Sequence, residues 1–132
     1  MASRMAAAST RGHDGAMRTV LIVDDHATFR GSARAVLEAG GFDVVGEAAT
    51  VEEALEAVAR TLPQVVLLDV ELPDGNGFDL AERLTANGAK VNVVLVSSRD
   101  YSDFVALVTQ SGARGFLPKA ELSGERLAAL VG

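Results

Sequence analysis

From Arg18 onward the chain alternates between two textures. Short apolar runs rich in Val, Ile and Leu recur at Thr19–Val23, Val44–Gly46, Val65–Leu68, Val91–Val96 and Gly115–Leu117. Longer segments with helical spacing lie between them. Phe29, Ala33, Val36 and Leu37 form one stripe; Val51, Ala54, Leu55 and Val58 form the next. Phe78, Ala81 and Leu84, then Phe104, Leu107 and Val108, and finally Leu127, Leu130 and Val131 complete the series. The pattern predicts five strands alternating with five helices. Continuous apolar strands are buried on both faces, as in a parallel sheet, and strand–helix alternation gives right-handed βαβ units. The punctuation agrees: Gly40-Gly41 closes the first helix, Pro63 follows the second and Asn87-Gly88 closes the third. The expected class is α/β, a doubly wound (βα)5 sandwich with helices on both faces.

Composition narrows the choice of function. The 132 residues are 48% hydrophobic, enough for one packed domain and too few for two. Aromatics are 5% with no Trp, so aliphatic side chains must build the core. The formal charge of −6 argues against a nucleic-acid surface. With no Cys, disulfides, thiolate zinc sites and cysteine nucleophiles are excluded. No apolar run approaches the length of a membrane span. Residues 1–16, MASRMAAASTRGHDGA, lack a hydrophobic period and carry a charge of +1. They read as a disordered tail or as translation from an upstream start, with Met17 the alternative initiator, and residues 17–132 read as the folded domain.

In a doubly wound sheet the ligand site lies beyond the carboxyl ends of the strands. Here strand one ends in Asp24-Asp25, strand three in Asp69, strand four in Ser97-Ser98 and strand five in Lys119. Taken singly, each has an ordinary reading: a turn or capping Asp, a loop Ser, a solvated Lys. Taken together, four strand ends bring polar groups to one sheet edge. Converging carboxylates repel one another, a cost that makes sense if a hard divalent cation sits among them, and Mg²⁺ prefers such oxygen ligands. Lys119 is one of only two lysines, beside ten arginines. An ammonium, a hydroxyl and a metal around one carboxylate make an inventory for phosphoryl chemistry.

The segments VLIVDDHATFR, VVLLDVELPDGNGFDL, VVLVSSRD and GARGFLPKAEL resemble a response-regulator receiver domain of two-component signalling over residues 17–132. His26 with Phe29-Arg30 looks most like the NarL/FixJ-like subfamily, whose members usually carry a C-terminal helix-turn-helix. The resemblance implies a flavodoxin-like fold with strand order 2-1-3-4-5 and a bacterial, cytoplasmic phosphoprotein. Asp69 would accept a phosphoryl group from a sensor histidine kinase or a phosphotransfer protein. Asp25 and Asp69 would bind Mg²⁺ directly, Asp24 through water, and the backbone carbonyl of Glu71 would complete the set. Ser97 and Lys119 would hold phosphoryl oxygens. Phe116 stands at the family's switch aromatic, the other reading being a plain core ring. The output surface would be helix four, strand five and helix five, with Tyr101, Val105 and Ala106 giving it apolar character, for a homodimer or a downstream partner. Pro118 precedes Lys119 and Ala120 follows it, where many members have Pro after the Lys. Glu71 and Arg99, each two residues beyond a site residue, are expected to pair across the mouth and restrict entry of water or phosphodonor.

Three other readings share parts of this inventory. A haloacid-dehalogenase-type phosphatase also uses an Asp nucleophile and Mg²⁺, with Glu71 offered as its acid/base, but it gives the Asp24-Asp25 pair and Pro73 no place. A flavodoxin-like electron carrier needs a hydroxyl- and Gly-rich loop where this chain has Asp-Asp-His. A pseudo-receiver would be an interaction module with an unused site. Only 13 residues follow Lys119, too few for a helix-turn-helix. The alternatives are a stand-alone receiver and a domain of a longer DNA-binding regulator; direct nucleic-acid or membrane contact is not expected of these residues.

Overall fold

The computed structural model describes residues 17–99 and 104–132. The expected tail over residues 1–16, and Tyr101 on the expected output surface, lie outside the described residues. The main sheet has five strands, numbered here β1 (Thr19–Val23), β2 (Asp43–Ala48), β3 (Val65–Asp69), β4 (Asn92–Ser97) and β5 (Gly115–Pro118). They run parallel in the order β2-β1-β3-β4-β5. Five α-helices connect and close them: α1 (Ala27–Ala39), α2 (Val51–Thr61), α3 (Gly77–Thr85), α4 (Val105–Gln110) and α5 (Gly124–Val131).

The three central strands are apolar between their ends because both their faces are covered. Leu21, Val23, Val66, Leu68, Val93 and Leu95 meet Ala54, Ala57, Leu80, Ala81 and Val108 from α2, α3 and α4. Val20, Ile22, Val65, Leu67, Val94 and Val96 meet Ala33, Leu37, Leu127 and Val131 from α1 and α5. Each fully buried Leu, Ile or Val contributes about 1.5–3 kcal/mol relative to exposure, so the two half-cores carry the fold without help from Trp.

The helix starts are chemically marked. Thr50 caps α2 by accepting from the Glu53 amide at 3.0 Å, and Asn76 and Ser123 accept from Asp79 and Arg126 at the starts of α3 and α5. Asp74 reaches from the β3–α3 loop to accept from the Val51 and Glu52 amides at 2.7 and 3.2 Å. Those bonds favour the carboxylate and hold the Asp74 carboxyl below its ordinary value. At the helix ends Gly41 and Gly88 take positive φ, and Leu62 takes φ 48° just before Pro63.

Several expectations need adjustment. The strands β2 to β5 each run one or two residues beyond their apolar runs, because ladder pairing continues past the last apolar side chain of the run. A short antiparallel hairpin, Glu71–Leu72 with Gly75–Asn76, lies between β3 and α3. Its turn is Pro73-Asp74, a dipeptide suited to a tight turn. Val36 and Leu107, read as core positions, are exposed at 39% and 45%. Leu80, absent from the expected stripe of α3, is buried. In each case the helix is rotated so that a neighbour fills the sheet contact: Ala33 and Leu37 on α1, Leu80 and Ala81 on α3, Val108 on α4.

Glu47 on β2 ties the outer face of α1 to the sheet edge, accepting from Arg30 Nε at 3.0 Å and Arg34 Nε at 2.8 Å. Hydrogen bonding from Arg34 is the largest effect lowering the Glu47 carboxyl below its ordinary 4.5. A depressed carboxyl contributes stability that is present above its unfolded value and lost as pH falls through its folded value. Glu47→Gln therefore lowers stability by about 0.5–1 kcal/mol at neutral pH. In urea unfolding series, that gap between parent and variant closes as pH drops below 4.5. Glycine scanning gives a second test. A Cβ on Gly77 would stand 2.3 Å from the Asp69 carbonyl oxygen, whereas on Gly31 it meets nothing within 4 Å. Gly77→Ala lowers Tm by roughly 10 °C through steric displacement. Gly31→Ala, inside α1, raises stability by about 0.5–1 kcal/mol.

Candidate functional site

Four strand ends deliver the site. Asp24 follows β1 and still belongs to the ladder, since its amide donates to the Ala48 carbonyl at 2.9 Å. That anchoring turns its side chain inward, where it is fully buried. Asp69 is the last residue of β3, opposite Val96, and is 4% exposed. Ser97 ends β4 opposite Pro118 and is buried. Lys119 comes immediately after β5, where a 3₁₀ turn begins. The Gly77 amide donates to the Val70 carbonyl at 2.8 Å, so the start of α3 folds back against the Asp69 backbone. Only glycine leaves room for that approach.

Lys119 organises the charges. Its Nζ lies 2.6 Å from Asp24 Oδ2 and 3.1 Å from Asp69 Oδ2. The first contact is an ion pair with angles unsuited to a hydrogen bond; Asp24 Oδ2 is buried with no hydrogen-bonding partner. The second is a hydrogen bond from the ammonium. The ammonium also sits 4.7 Å from the centroid of the Phe29 ring on α1. Burial opposes its charge, but the two carboxylates outweigh burial and raise the Lys119 value above the ordinary one. Asp69 behaves oppositely. Burial raises its carboxyl above the ordinary value and the Asp24 charge adds to this; the Glu71 amide, donating to Asp69 Oδ1 at 3.2 Å, and Lys119 offset them only in part.

The β1 end continues as Asp25 and His26. Asp24 Oδ1 accepts from the His26 amide at 2.7 Å, and His26 Nδ1 lies 3.0 Å from the same oxygen and 3.3 Å from Asp25 Oδ1. Arg30, one turn into α1, donates to the Asp24 carbonyl at 2.6 Å and fixes this bend. Ligand atoms of Asp24, Asp25, His26 and Asp69 all lie within 4.8 Å of one another. Ser97 Oγ accepts from the Arg99 amide at 3.0 Å, which leaves its own proton to give. Arg99 and Glu71 meet at 3.4 Å with both side chains exposed. The Arg99 guanidinium lies 5.2 Å from the Phe104 ring centroid, and Phe104 stands 6.0 Å from Phe116 and 5.4 Å from Phe78. Phe116 is half-buried on β5. The peptide after Lys119 is trans, with no cis bond among the described residues.

The structure thus brings Asp24, Asp25, Asp69 and Lys119 into one cluster and pairs Glu71 with Arg99. The sequence reading gave His26 no role in binding and passed over the contacts of Phe29 and Arg30. Their signal was present as spacing, three and four residues beyond His26 on the first turn of a helix. A groove of about 450 Å³ runs along β5 and α5, lined by Arg114, Phe116, Arg126 and Leu130 among others, with none of the clustered carboxylates on its walls.

Comparisons with known proteins agree with this geometry. The family model for the response regulator receiver domain matches residues 20–131. A putative transcriptional regulator of Pseudomonas aeruginosa is 34% identical over 86% of this chain and 55% of its own length. The BvgA regulator of Bordetella pertussis is 33% identical over 77% of this chain and 49% of its own. The chain spans about half the length of these curated relatives. The receiver domain of the putative response regulator NarL from Mycobacterium tuberculosis superposes with a TM-score of 0.80 at 31% identity, covering 87% of this chain and 96% of that one. A flavodoxin-like sheet whose strand ends gather three aspartates and a lysine, matched over nearly its whole described length, places this chain in the response regulator receiver domain family of two-component systems, among its NarL-like members.

Proposed function

We propose that this chain accepts a phosphoryl group on Asp69 from the phosphohistidine of a sensor kinase or phosphotransfer protein, with Mg²⁺ in the acidic cluster. The observation that carries the reading is the position of Lys119, bridging Asp24 and Asp69 at 2.6 and 3.1 Å. In transfer, an Asp69 oxygen forms the new bond to phosphorus, the phosphorus–nitrogen bond breaks, and its electron pair leaves with the imidazole. The product carboxyl phosphate carries roughly two charges and three acceptor oxygens in place of one charge. Ser97, with its hydroxyl proton available, and Lys119 supply donors for those oxygens.

The donor set fits a hard divalent cation. Three carboxylates converge, and Asp24 Oδ2 is buried without a hydrogen bond. Asp24, Asp25 and Asp69 would hold the ion, with the Glu71 backbone carbonyl as a further ligand. Bound there, Mg²⁺ supplies positive charge against the transferring phosphoryl oxygens.

Modification would be read out along β4 and β5. Drawing the Ser97 hydroxyl toward the phosphoryl group would free its contact with the Arg99 amide. Arg99 in turn lies on Phe104, next to Phe116. A shift of the Phe116 ring is the expected response, a local charge change moving a packed element. The output surface would be α4, β5 and α5, where Val105 and Leu107 are exposed at 47% and 45%, for a downstream partner, a further domain or a second copy. No described helix is long and apolar enough to cross a membrane. The proposed setting is the bacterial cytoplasm.

Incubation with acetyl phosphate and millimolar Mg²⁺, followed by mass spectrometry, tests the acceptor. The parent gains one phosphoryl group and Asp69→Asn gains none. Equal modification of the variant assigns the acceptor elsewhere, and an inert parent means an unused site. The mouth pair is tested by rates. Glu71→Ala and Arg99→Ala each change phosphorylation or dephosphorylation by about twofold to threefold, the effect of an exposed pair. Two unchanged rates in both variants remove the pair from the mechanism.

A further inference from the structure

Resting on the reading of the acidic cluster as a cation site that the Glu71 carbonyl completes, we propose that Asp74 is a positioning residue for that site: by clamping the loop after Asp69 onto the start of α2, it holds the Glu71 backbone beside Asp69. The loop has little to hold it by itself. Glu71–Leu72 and Gly75–Asn76 pair as an antiparallel hairpin of two residues per strand. A lone two-stranded hairpin is marginally stable in water, so this one depends on what it docks against. At its base the Glu71 amide donates to Asp69 Oδ1 at 3.2 Å, and the Gly77 amide donates to the Val70 carbonyl at 2.8 Å. Leu72 packs, partly buried, against the core. The tip is held by Asp74.

Asp74 uses both carboxylate oxygens, and both reach a distant part of the chain. Oδ1 accepts from the Val51 amide at 2.7 Å and Oδ2 from the Glu52 amide at 3.2 Å, 23 and 22 residues earlier. Amides at a helix N-terminus lack partners within the helix and carry partial positive charge, so a carboxylate suits that position. The helix already has a cap of its own. Thr50 accepts from the Glu53 amide at 3.0 Å, and Glu53 Oε1 accepts from the Ala49 amide at 2.8 Å, a reciprocal pair of local bonds. Asp74 is therefore a second, non-local cap, and its separate consequence is to fix the loop. Gly75 fits the same contact. A Cβ there would stand 3.1 Å from Val51 Cγ2, so the hairpin backbone lies directly on the first residue of α2. The helix is a firm mount, because Ala54 and Ala57 are buried in the core. With the tip released, Glu71, three residues from Asp74, loses the constraint that places its carbonyl and its side chain. Residues that orient a metal ligand without touching the ion typically change its affinity by about 10-fold to 100-fold.

The full chain is compared with Asp74→Ala, Asp74→Asn and Thr50→Ala by NMR, first without metal and then in a titration with MgCl₂. Thr50→Ala removes the local cap from the same helix end and leaves the loop its anchor, so it separates helix stability from loop position. Both alanine variants are expected to lower the urea midpoint. Without metal, backbone order parameters at Glu71 and Leu72 are expected to fall from about 0.85 toward about 0.6 in Asp74→Ala and to keep their parent values in Thr50→Ala. In the MgCl₂ titration, Asp74→Ala is expected to weaken Mg²⁺ by about fivefold to tenfold and Thr50→Ala by less than about twofold. Asp74→Asn keeps one acceptor oxygen and falls between the parent and Asp74→Ala. The proposal is overturned if Asp74→Ala keeps the parent's order parameters at Glu71 or its Mg²⁺ affinity, or if Thr50→Ala weakens Mg²⁺ as much. Should Asp74→Ala fail to fold, parent values in Asp74→Asn overturn it in the same way. A parent whose amides do not respond to MgCl₂ overturns the cation-site reading itself and this proposal with it.

Discussion

Two carboxylates and one ammonium share a largely buried space, and much of the site's geometry follows from that fact. Asp24 is fully buried, Asp69 nearly so, and Lys119 stands between them. Buried charges are expensive unless paired, and one cation cannot neutralise two carboxylates. Burial raises the Asp69 carboxyl, and the charge of Asp24 adds to it. A site with a built-in deficit of positive charge is poised for a cation. The parallel sheet makes the deficit possible, because only strands running the same way place β1, β3 and β5 ends side by side. The groups supporting the charges are equally local: Gly77 lets α3 approach the Asp69 backbone, Arg30 holds the Asp24 bend, and Phe29 lies against the ammonium.

The sheet and its chemical edge were legible in the sequence for one physical reason. A strand buried on both faces must be apolar throughout, so an acid or lysine directly after such a run marks a strand end. Asp24, Asp69 and Lys119 are legible in that way, and so is the alternation of strands and helices. Helix rotation was less legible. Val36 and Leu107 fit an apolar stripe as well as their neighbours do, and only the sheet's shape decides that Ala33, Leu37 and Val108 face inward. The hairpin after Asp69 is two residues per strand, too short for any period to show. The Glu47 link to Arg30 and Arg34 depends on β2 lying beside α1, a long-range contact without a local signal. His26 stood in plain view after the acidic pair, yet its approach to both carboxylates needed coordinates.

The competing chemistries separate on the same geometry. The 450 Å³ groove along β5 and α5 has none of the clustered carboxylates on its walls. Glu71, the acid/base a phosphatase would require, is exposed and turned to Arg99. An electron carrier of the same fold needs the β1 loop to accept a phosphate, and here that loop presents Asp24 and Asp25. An interaction module with an idle site has no need to bury Asp24 and Asp69 together, because that burial works against stability. The strain is useful only if something positive enters or if the charge on Asp69 changes. Phosphoryl transfer with a bound cation does both, and the hydroxyl of Ser97, held by the Arg99 amide beside the Phe104–Phe116 rings, stands where a change at Asp69 would be felt first.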